Sequence, residues 1–512
     1  MERKWWTLLA VCLATFMLLL DITIVNVALP DIGEELDASF SELQWVIDAY
    51  ALMLAALLLT AGSLADLLGR RRVFVFGVAF FSVASLLCAL APSALTLLLA
   101  RGAQGIGGAA MFATSLALLA QEFHGRDRGT AFGIWGATTG AAVAIGPLVG
   151  GALTSGLGWP SIFYLNLPIG LATIVMTLRQ VPETRDEEAT GVDWAGLVTF
   201  SAALFLLVFA LIRGNEEGWS SALIVGMLVA SAILLAAFVA VEHRQVRPMF
   251  DLELFRKRTF SGVSIAAFVL SASMFSMFLY ITLYVQTILG YGPLETGLRF
   301  LPLTVLSFFA AAAAGKLTAR LPARAMLGAG LGLVGTGLLL MRGLDVDSDW
   351  TALLPGFIVG GIGIGVTNPP LANTAIGVVT AARSGMASGI NSTFRQVGIA
   401  TGIAGLGAIF QSQVADRLAS ALAGTPAGGH IDALARAVSA GGAPQAIGSA
   451  PAAERPALHH AIYAVFTGGL NDLFLVGAVT AFAGAALAFA LVRRSDFVVV
   501  GAPPAEPEAA AA

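Results

Sequence analysis

The sequence predicts an all-α membrane protein with fourteen transmembrane helices arranged as six, two and six. The 512-residue chain is 57% apolar and 12% charged, and its mean hydropathy is +0.84. Soluble domains carry about 25% charged residues, so this chain has too little polar surface to face water. Apolar runs recur along the chain, and about 20 apolar residues suffice to cross a ~30 Å hydrocarbon core as a helix.

The apolar runs set the expected spans in order. They lie near 7–28, 45–64, 73–91, 95–118, 130–153, 162–178, 194–212, 222–241, 260–283, 298–317, 325–344, 350–376, 386–410 and 470–492. Twenty Lys and Arg residues fall in segments on the side of the termini, and six fall on the other side. The positive-inside rule therefore predicts that both termini are cytoplasmic.

A weak internal repeat divides the chain into two halves. Two short glycine patterns of the first half recur 253–256 residues later in the chain. Gly62-x-Leu64 recurs as Gly315-x-Leu317, and Gly129-x3-Gly133 recurs as Gly385-x3-Gly389. Repeated halves of this kind are typical of secondary transporters. The pattern predicts six-helix halves over 1–185 and 259–497, which are joined by two additional helices within 186–258.

Two segments outside the spans have distinct compositions. The connection 411–469 is predicted to be a large outer loop rich in Ala, Gly and Pro, with a short amphipathic helix near 431–438. The Pro/Ala/Glu-rich tail 498–512 is predicted to be disordered.

A short basic stretch between spans 2 and 3 is predicted to be a cytoplasmic gating loop. It contains Gly62, Asp66, Gly69, Arg70 and Arg71. We expect Asp66 and the arginines to form a charge latch to neighbouring helix ends. The alternative is a basic loop that only sets membrane topology.

Asp21 in span 1 and Arg101 in span 4 are charged residues inside apolar runs. A carboxylate in hydrocarbon costs at least ~2.5 kcal/mol, so Asp21 should face protein or a water-filled cavity. The helical rise places Asp21 roughly 12 Å and Arg101 roughly 9 Å below the outer edge, so they can meet if the two spans are neighbours. We expect Asp21, Arg101 and Gln104 to act in proton coupling or cargo contact. The alternatives are a helix-packing role for Asp21 and an Arg101 that snorkels to the outer headgroups.

Four stretches resemble motifs of the major facilitator superfamily. Residues 62–72 resemble its loop between helices 2 and 3, and residues 97–108 resemble its fourth-helix motif. Residues 20–30 and 385–398 resemble the fourteen-span drug:proton antiporters of the EmrB/QacA type. The resemblance implies the major facilitator fold, alternating access, and export of hydrophobic drugs or metabolites coupled to protons through Arg101.

Span 5 resembles the motif of the superfamily's antiporters. It contains Gly140, Gly146, Pro147, Gly150 and Gly151. Glycines let helices approach closely, and a proline removes a backbone donor and bends a helix. We expect bulk at these glycines to wedge the two halves apart, which favours export over uptake. The alternative is helix packing alone.

A central cargo cavity is predicted from residues of spans 1, 9 and 13. Met274, Phe275 and Phe278 follow helical spacing on one face and suit bulky apolar cargo, although lipid-facing filler is the alternative. Arg395 is interpreted in three ways: as a counter-charge to Asp21, a contact for anionic cargo, or a donor to carbonyls. The full predicted set is Asn26, Met274, Phe275, Phe278, Tyr280, Asn391, Arg395 and Gln396.

Other classes of function find little support in the sequence. No G-x4-G-K-[ST] stretch is present, so we expect the proton motive force to drive transport, with no ATP and no other cofactor. No metal-ligand cluster or nucleophile–base set predicts an enzyme, and a net charge of −4 predicts no nucleic-acid partner. We expect a monomer in a bacterial inner membrane. Uptake or facilitated diffusion, and a transporter-like sensor or scaffold, remain the alternatives.

Overall fold

A computed structural model shows a bundle of long helices. It describes residues 2–38, 40–123, 125–185, 193–245, 250–318, 320–380, 383–422, 431–439, 441–449, 451 and 455–497, and this part of the chain contains no strand. Apolar runs longer than a hydrocarbon core is thick explain the helices, because a spanning segment must satisfy its backbone hydrogen bonds internally.

The first half and the joining pair form eight helices. Their bounds are α1 Arg3–Glu35, α2 Phe40–Leu68, α3 Arg70–Ala89, α4 Ala94–Glu122, α5 Gly125–Leu157, α6 Pro160–Gln180 with an interruption at Leu165, α7 Trp194–Glu217 and α8 Ala222–Glu242.

The second half forms six long helices and two short ones. Their bounds are α9 Arg258–Ile288, α10 Pro293–Leu317, α11 Ala323–Leu340, α12 Leu354–Gly377, α13 Ser384–Ala421, α14 Ile431–Ser439, α15 Ala443–Ser449 and α16 Arg455–Leu491. Short 3-10 turns lie at Leu252–Arg256, Trp350–Leu353 and Arg494–Asp496.

Thirteen of the described helices are long and apolar enough to cross a membrane. The expected span 130–153 lies within α5, which has 33 residues. Within the described residues of this helix, the segment Leu148–Leu157 is apolar but shorter than a span. The chain is therefore a multi-pass helical membrane protein, and the predicted number of fourteen spans is not confirmed.

The connection between α13 and α16, predicted to be a large outer loop, is shorter than predicted. Helix α13 continues to Ala421 and α16 begins at Arg455, so described parts of 411–469 extend the two spans. The prediction of a loop over 411–469 was wrong at both ends, because residues 411–421 and 455–469 are helical. The predicted amphipathic helix is confirmed as α14. The tail 498–512 lies outside the described residues.

The two halves touch through two glycine contacts at one end of the bundle, which we call the latch end. A Cβ at Gly62 of α2 would overlap the Gly385 carbonyl of α13, and a Cβ at Gly129 of α5 would overlap the Gly315 carbonyl of α10. These four glycines are the residues of the internal repeat: Gly62 corresponds to Gly315, and Gly129 corresponds to Gly385. The repeat therefore relates the two contacts to each other.

The contact of α5 with the second half loosens away from the latch end. A Cβ at Gly133 would lie 3.1 Å from the Ala311 carbonyl, whereas one at Gly136 would lie 3.7 Å from Asn368 and one at Gly140 3.8 Å from Ser307. The backbones of α5 and α10 touch at the latch end, whereas further along the bundle α5 keeps ordinary side-chain spacing from the second half. The halves are therefore closed at the latch end.

The chain ends and the joining helices complete this arrangement. Arg3 donates to the Gln180 carbonyl, and Phe497 lies against Gly377, which places both described ends of the chain at the latch end. Helix α7 packs against α2 of one half and α13 of the other, and α8 packs against α7. The joining pair thus lies beside the Gly62–Gly385 contact between α2 and α13.

Candidate transport site and gate

Asp21 lies at the centre of a buried polar network in the first half. Its Oδ2 accepts a hydrogen bond from Arg101 Nη1 at 2.5 Å, and its Oδ1 accepts from Gln104 Nε2 at 2.9 Å and Asn166 Nδ2 at 2.8 Å. The side chains of Asp21 and Arg101 are each 1% exposed. The structure therefore brings together the three residues predicted for proton coupling, as the depth estimate required.

Arg101 is held by neutral groups as well as by the carboxylate. Its Nε donates to the Val46 carbonyl at 3.1 Å, and its Nη1 donates to Gln104 Oε1 at 2.7 Å. The guanidinium carbon lies 4.3 Å from the centre of the Tyr50 ring, a cation–π contact. Arg101 thus has other partners besides the carboxylate of Asp21. Because its side chain is buried, it does not snorkel to the headgroups in this conformation.

Asn166 and Ser85 belong to the network but were not predicted. Asn166 Nδ2 also donates to Ser85 Oγ at 2.9 Å, and Ser85 donates to the Phe163 carbonyl at 3.0 Å. Asn166 is the first residue of the helix that resumes after the interruption at Leu165. An interruption inside an apolar span leaves no periodic signal, so the sequence did not reveal the residue.

The Asp21–Arg101 pair meets the conditions under which a buried ion pair is stable. A buried ion pair of good geometry is stabilised by additional hydrogen bonds to the carboxylate, which Gln104 and Asn166 donate here. The pair therefore ties α1 to α4.

The glycines of the antiporter motif pack against α1 next to Asp21. A Cβ at Gly146 would lie 2.6 Å from the Thr23 Cβ, and one at Gly150 would lie 3.2 Å from the Ile24 carbonyl. A Cβ at Gly151 would meet nothing within 4 Å. Gly140 alone faces the other half, and the side chain of Pro147 lies outside the described part.

The expectation that bulk at Gly146 wedges the halves apart was therefore wrong. The partner of Gly146 and Gly150 is α1, which belongs to the same half. A glycine pattern predicts close helix packing but does not identify the partner helix. The motif instead fixes the position of the helix that bears Asp21.

The predicted charge latch closes the bundle where Gly62 meets α13. Asp66 Oδ1 accepts from Arg70 Nη2 at 2.6 Å and from the Gly385 backbone N–H at 3.0 Å, and its Oδ2 accepts from the Met386 N–H at 2.8 Å. The carboxylate therefore caps the N-terminus of α13, where unpaired N–H groups and the helix dipole favour a negative charge. We call this set of contacts the latch.

A second acidic residue, Glu183, ties the latch to the end of α6. Its Oε1 accepts from the Arg71 backbone N–H at 3.1 Å, and Arg71 Nη1 donates to the Val181 carbonyl at 3.3 Å. Gly69 lies between these groups with a φ of +110°, which disfavours any other residue there. Glu183 follows a proline and lies far in sequence from Arg71, so the sequence did not reveal that it accepts a hydrogen bond at the start of α3.

The predicted cavity wall on α9 divides into buried and half-buried residues. Met274 is 0% exposed and Tyr280 is 4% exposed, with its hydroxyl donating to the Ile403 carbonyl at 2.8 Å. Their assignment to the cavity was wrong in this conformation. A π-helical turn at Ser271–Phe275 and a second at Tyr284–Ile288 break the helical spacing on which it depended. Phe275 and Phe278 are half-buried and pack edge to face.

The remaining predicted cavity residues lie on α1 and α13. Asn26 is exposed, and Arg395 and Gln396 are half-buried. Asn391 is buried, with 1% of its surface exposed. The guanidinium of Arg395 lies 5.8 Å from the centre of the Phe275 ring. Among the described residues, Arg395 makes no ion pair or hydrogen bond, so it is not a counter-charge to Asp21 in this conformation.

Two helical halves, a buried carboxylate–arginine pair and a latch between the halves define a secondary transporter. The Major Facilitator Superfamily profile matches residues 11–403, and the chain belongs to this family.

The chain is also similar to proteins of known name and to a solved structure. The chain is 33% identical to the tetracenomycin C resistance and export protein of Streptomyces glaucescens, covering 96% of this chain and 92% of that protein. It is 39% identical to the multidrug resistance protein Stp of Mycobacterium tuberculosis, covering 79% of this chain and 75% of that protein. The proton:xylose symporter XylE has a similar fold, with a TM-score of 0.63, 12% identity and 96% of each chain covered.

Proposed function

We propose that the protein exports small hydrophobic drugs or metabolites in exchange for protons. The buried Asp21–Arg101–Gln104–Asn166 network is the observation that carries this proposal. The export direction is supported by two relatives whose names describe drug resistance or export. Proton drive without ATP or another cofactor is part of the proposal.

The transport cycle alternates between states that are open at opposite ends of the bundle. Tight glycine contacts and the latch support a state that is closed at the latch end. With the latch end in the cytoplasm, as the distribution of basic residues predicts, this state faces outward. Outward-facing Asp21 takes a proton, its attraction to Arg101 weakens, and the halves rearrange to open the latch.

The setting follows from the same argument. The protein lies in a bacterial inner membrane with both termini in the cytoplasm, and it works as a monomer because one chain contains both halves and the network. Cargo leaves the cytoplasm or the inner leaflet when the latch end is open. Each proton that enters through Asp21 returns the carrier to the inward-facing state.

The direct test uses purified protein in liposomes that contain no ATP. An imposed pH gradient should drive dye transport against its concentration gradient, and a protonophore should abolish it. Transport that continues after the gradient is collapsed, or that requires added ATP, contradicts the proposal. Liposomes with the Asp21→Asn variant are the matched control, since this change removes the charge with little change in shape.

A further inference from the structure

We propose that Arg395 makes this exporter selective for planar aromatic cargo that bears an acidic group. The inference rests on the proposed export function, because it names the class of cargo for the same cavity. Its basis is a half-buried arginine whose guanidinium has an aromatic neighbour and no acceptor among the described residues.

The position of Arg395 requires a polar surrounding. The residue lies eleven positions after the start of α13, or ~16 Å along the helix, which is deep within the membrane-spanning part. A cation at that depth is strongly disfavoured in hydrocarbon. Its exposed portion is therefore expected to face a polar space inside the bundle.

The neighbours of Arg395 supply a surface for a ring but no negative charge. Phe275 lies beneath the guanidinium, Phe278 packs against Phe275 at 5.7 Å, and Phe300 packs against Phe278 at 5.9 Å between ring centres. Such a run of half-buried rings accepts a flat apolar body. The unpaired guanidinium at its edge matches a carboxylate or a phenolate, which it can bind in bidentate fashion.

One turn earlier, Asn391 adds a second group without a partner. Its Nδ2 is buried and has no hydrogen bond in the described residues. Residues four apart lie on the same side of a helix, so Asn391 and Arg395 share one face of α13. Buried polar groups are normally paired, which indicates that a ligand or water completes this face.

The charges within the bundle favour an anion. Asp21 and Arg101 neutralise each other at 2.5 Å, whereas Arg395 has no acidic partner in the described part of the chain. The site is therefore left with one uncompensated positive charge. A cavity of low dielectric strengthens the attraction of this charge for an anionic cargo.

The test compares two dyes of opposite charge in three variants. Arg395→Gln and Arg395→Lys are assayed with carboxyfluorescein as the aromatic anion and ethidium as the aromatic cation. Arg324→Gln is the matched control, because Arg324 also lies over a ring, 5.4 Å from Phe489, but is exposed at the latch end. Binding to the purified protein is measured by fluorescence polarisation, and transport is measured in liposomes with an imposed pH gradient.

Arg395→Gln should weaken carboxyfluorescein binding by at least about tenfold, as expected when a charge-assisted hydrogen bond is lost. It should leave ethidium binding unchanged or stronger. Arg395→Lys should retain only part of the carboxyfluorescein binding, because Lys keeps the charge without the bidentate fork. Arg324→Gln should affect neither dye. Equal losses for both dyes, or unchanged carboxyfluorescein binding in Arg395→Gln, would overturn the inference.

The two readouts separate this inference from the proposed function. If the wild type binds carboxyfluorescein through Arg395 but a pH gradient drives no transport, the export proposal fails and the selectivity stands. If the wild type transports ethidium but does not bind carboxyfluorescein, export stands and the selectivity is refuted.

Discussion

The two arginines inside the membrane-spanning bundle have opposite surroundings. Arg101 in the first half has a carboxylate, an amide, a backbone carbonyl and a tyrosine ring within contact. Arg395 in the second half has one phenylalanine ring and no acceptor in the described residues. A residue whose partners are complete can respond to a change of charge inside the protein. A residue without partners can respond to a ligand that enters, so our proposals assign proton exchange to the first half and cargo recognition to the second.

The largest effect is expected from Asp21→Asn. This change leaves the buried Arg101 without a countercharge, which costs about 3–5 kcal/mol in comparable buried pairs. Proton-driven efflux should fall to background. The double variant Asp21→Asn/Arg101→Gln removes both charges and should recover thermal stability without recovering efflux. Recovery of efflux together with stability would mean that the pair is structural.

Gly146→Val should come next, because its side chain would overlap Thr23 and displace α1 with Asp21. We expect efflux to fall by more than about tenfold, together with a lower melting temperature, as for overpacked cores. Gly151→Val is the matched control, since a Cβ there meets nothing within 4 Å. Equal effects of the two variants in efflux and melting assays would show that contact with α1 is unimportant.

Asp66→Asn should have an intermediate effect on the state that is closed at the latch end. Losing the charged cap of α13 costs about 1–2 kcal/mol, which shifts the balance between the two states by roughly 5–30-fold. Spin labels at positions 72 and 320, both exposed at the latch end, should report a larger fraction of long distances. An unchanged distance distribution would separate Asp66 from gating.

The smallest effect is expected from Phe275→Leu. Removal of one aromatic contact should weaken binding of carboxyfluorescein by about three- to tenfold, the value of a single ring contact. Met274→Leu on the same turn should leave the dissociation constant unchanged, because Met274 faces the core. Fluorescence polarisation checks both, and a larger effect of Met274→Leu would restore that residue to the cavity.

The sequence predicted the fold and the main polar pair because simple constraints govern both. Apolar length determines the helices, and the depths of Asp21 and Arg101 follow from the helical rise. Other features depend on geometry that a pattern does not contain. Met274 and Tyr280 are buried on a helix that contains two π-helical turns, and Asn166 meets Asp21 from the start of a helical segment. The helix that packs against Gly146 could be identified only from the way the helices are arranged in the structure.

The division between the halves is tested most directly by two transport modes measured in the same liposomes. Counterflow exchanges labelled for unlabelled carboxyfluorescein without a pH gradient and requires only cargo binding and movement of the halves. Proton-driven efflux additionally requires a proton site. The account predicts that Asp21→Asn keeps counterflow and loses driven efflux, whereas Arg395→Gln loses both for carboxyfluorescein and keeps both for ethidium. Loss of counterflow in Asp21→Asn, or driven ethidium efflux that is lost in Arg395→Gln, would contradict it.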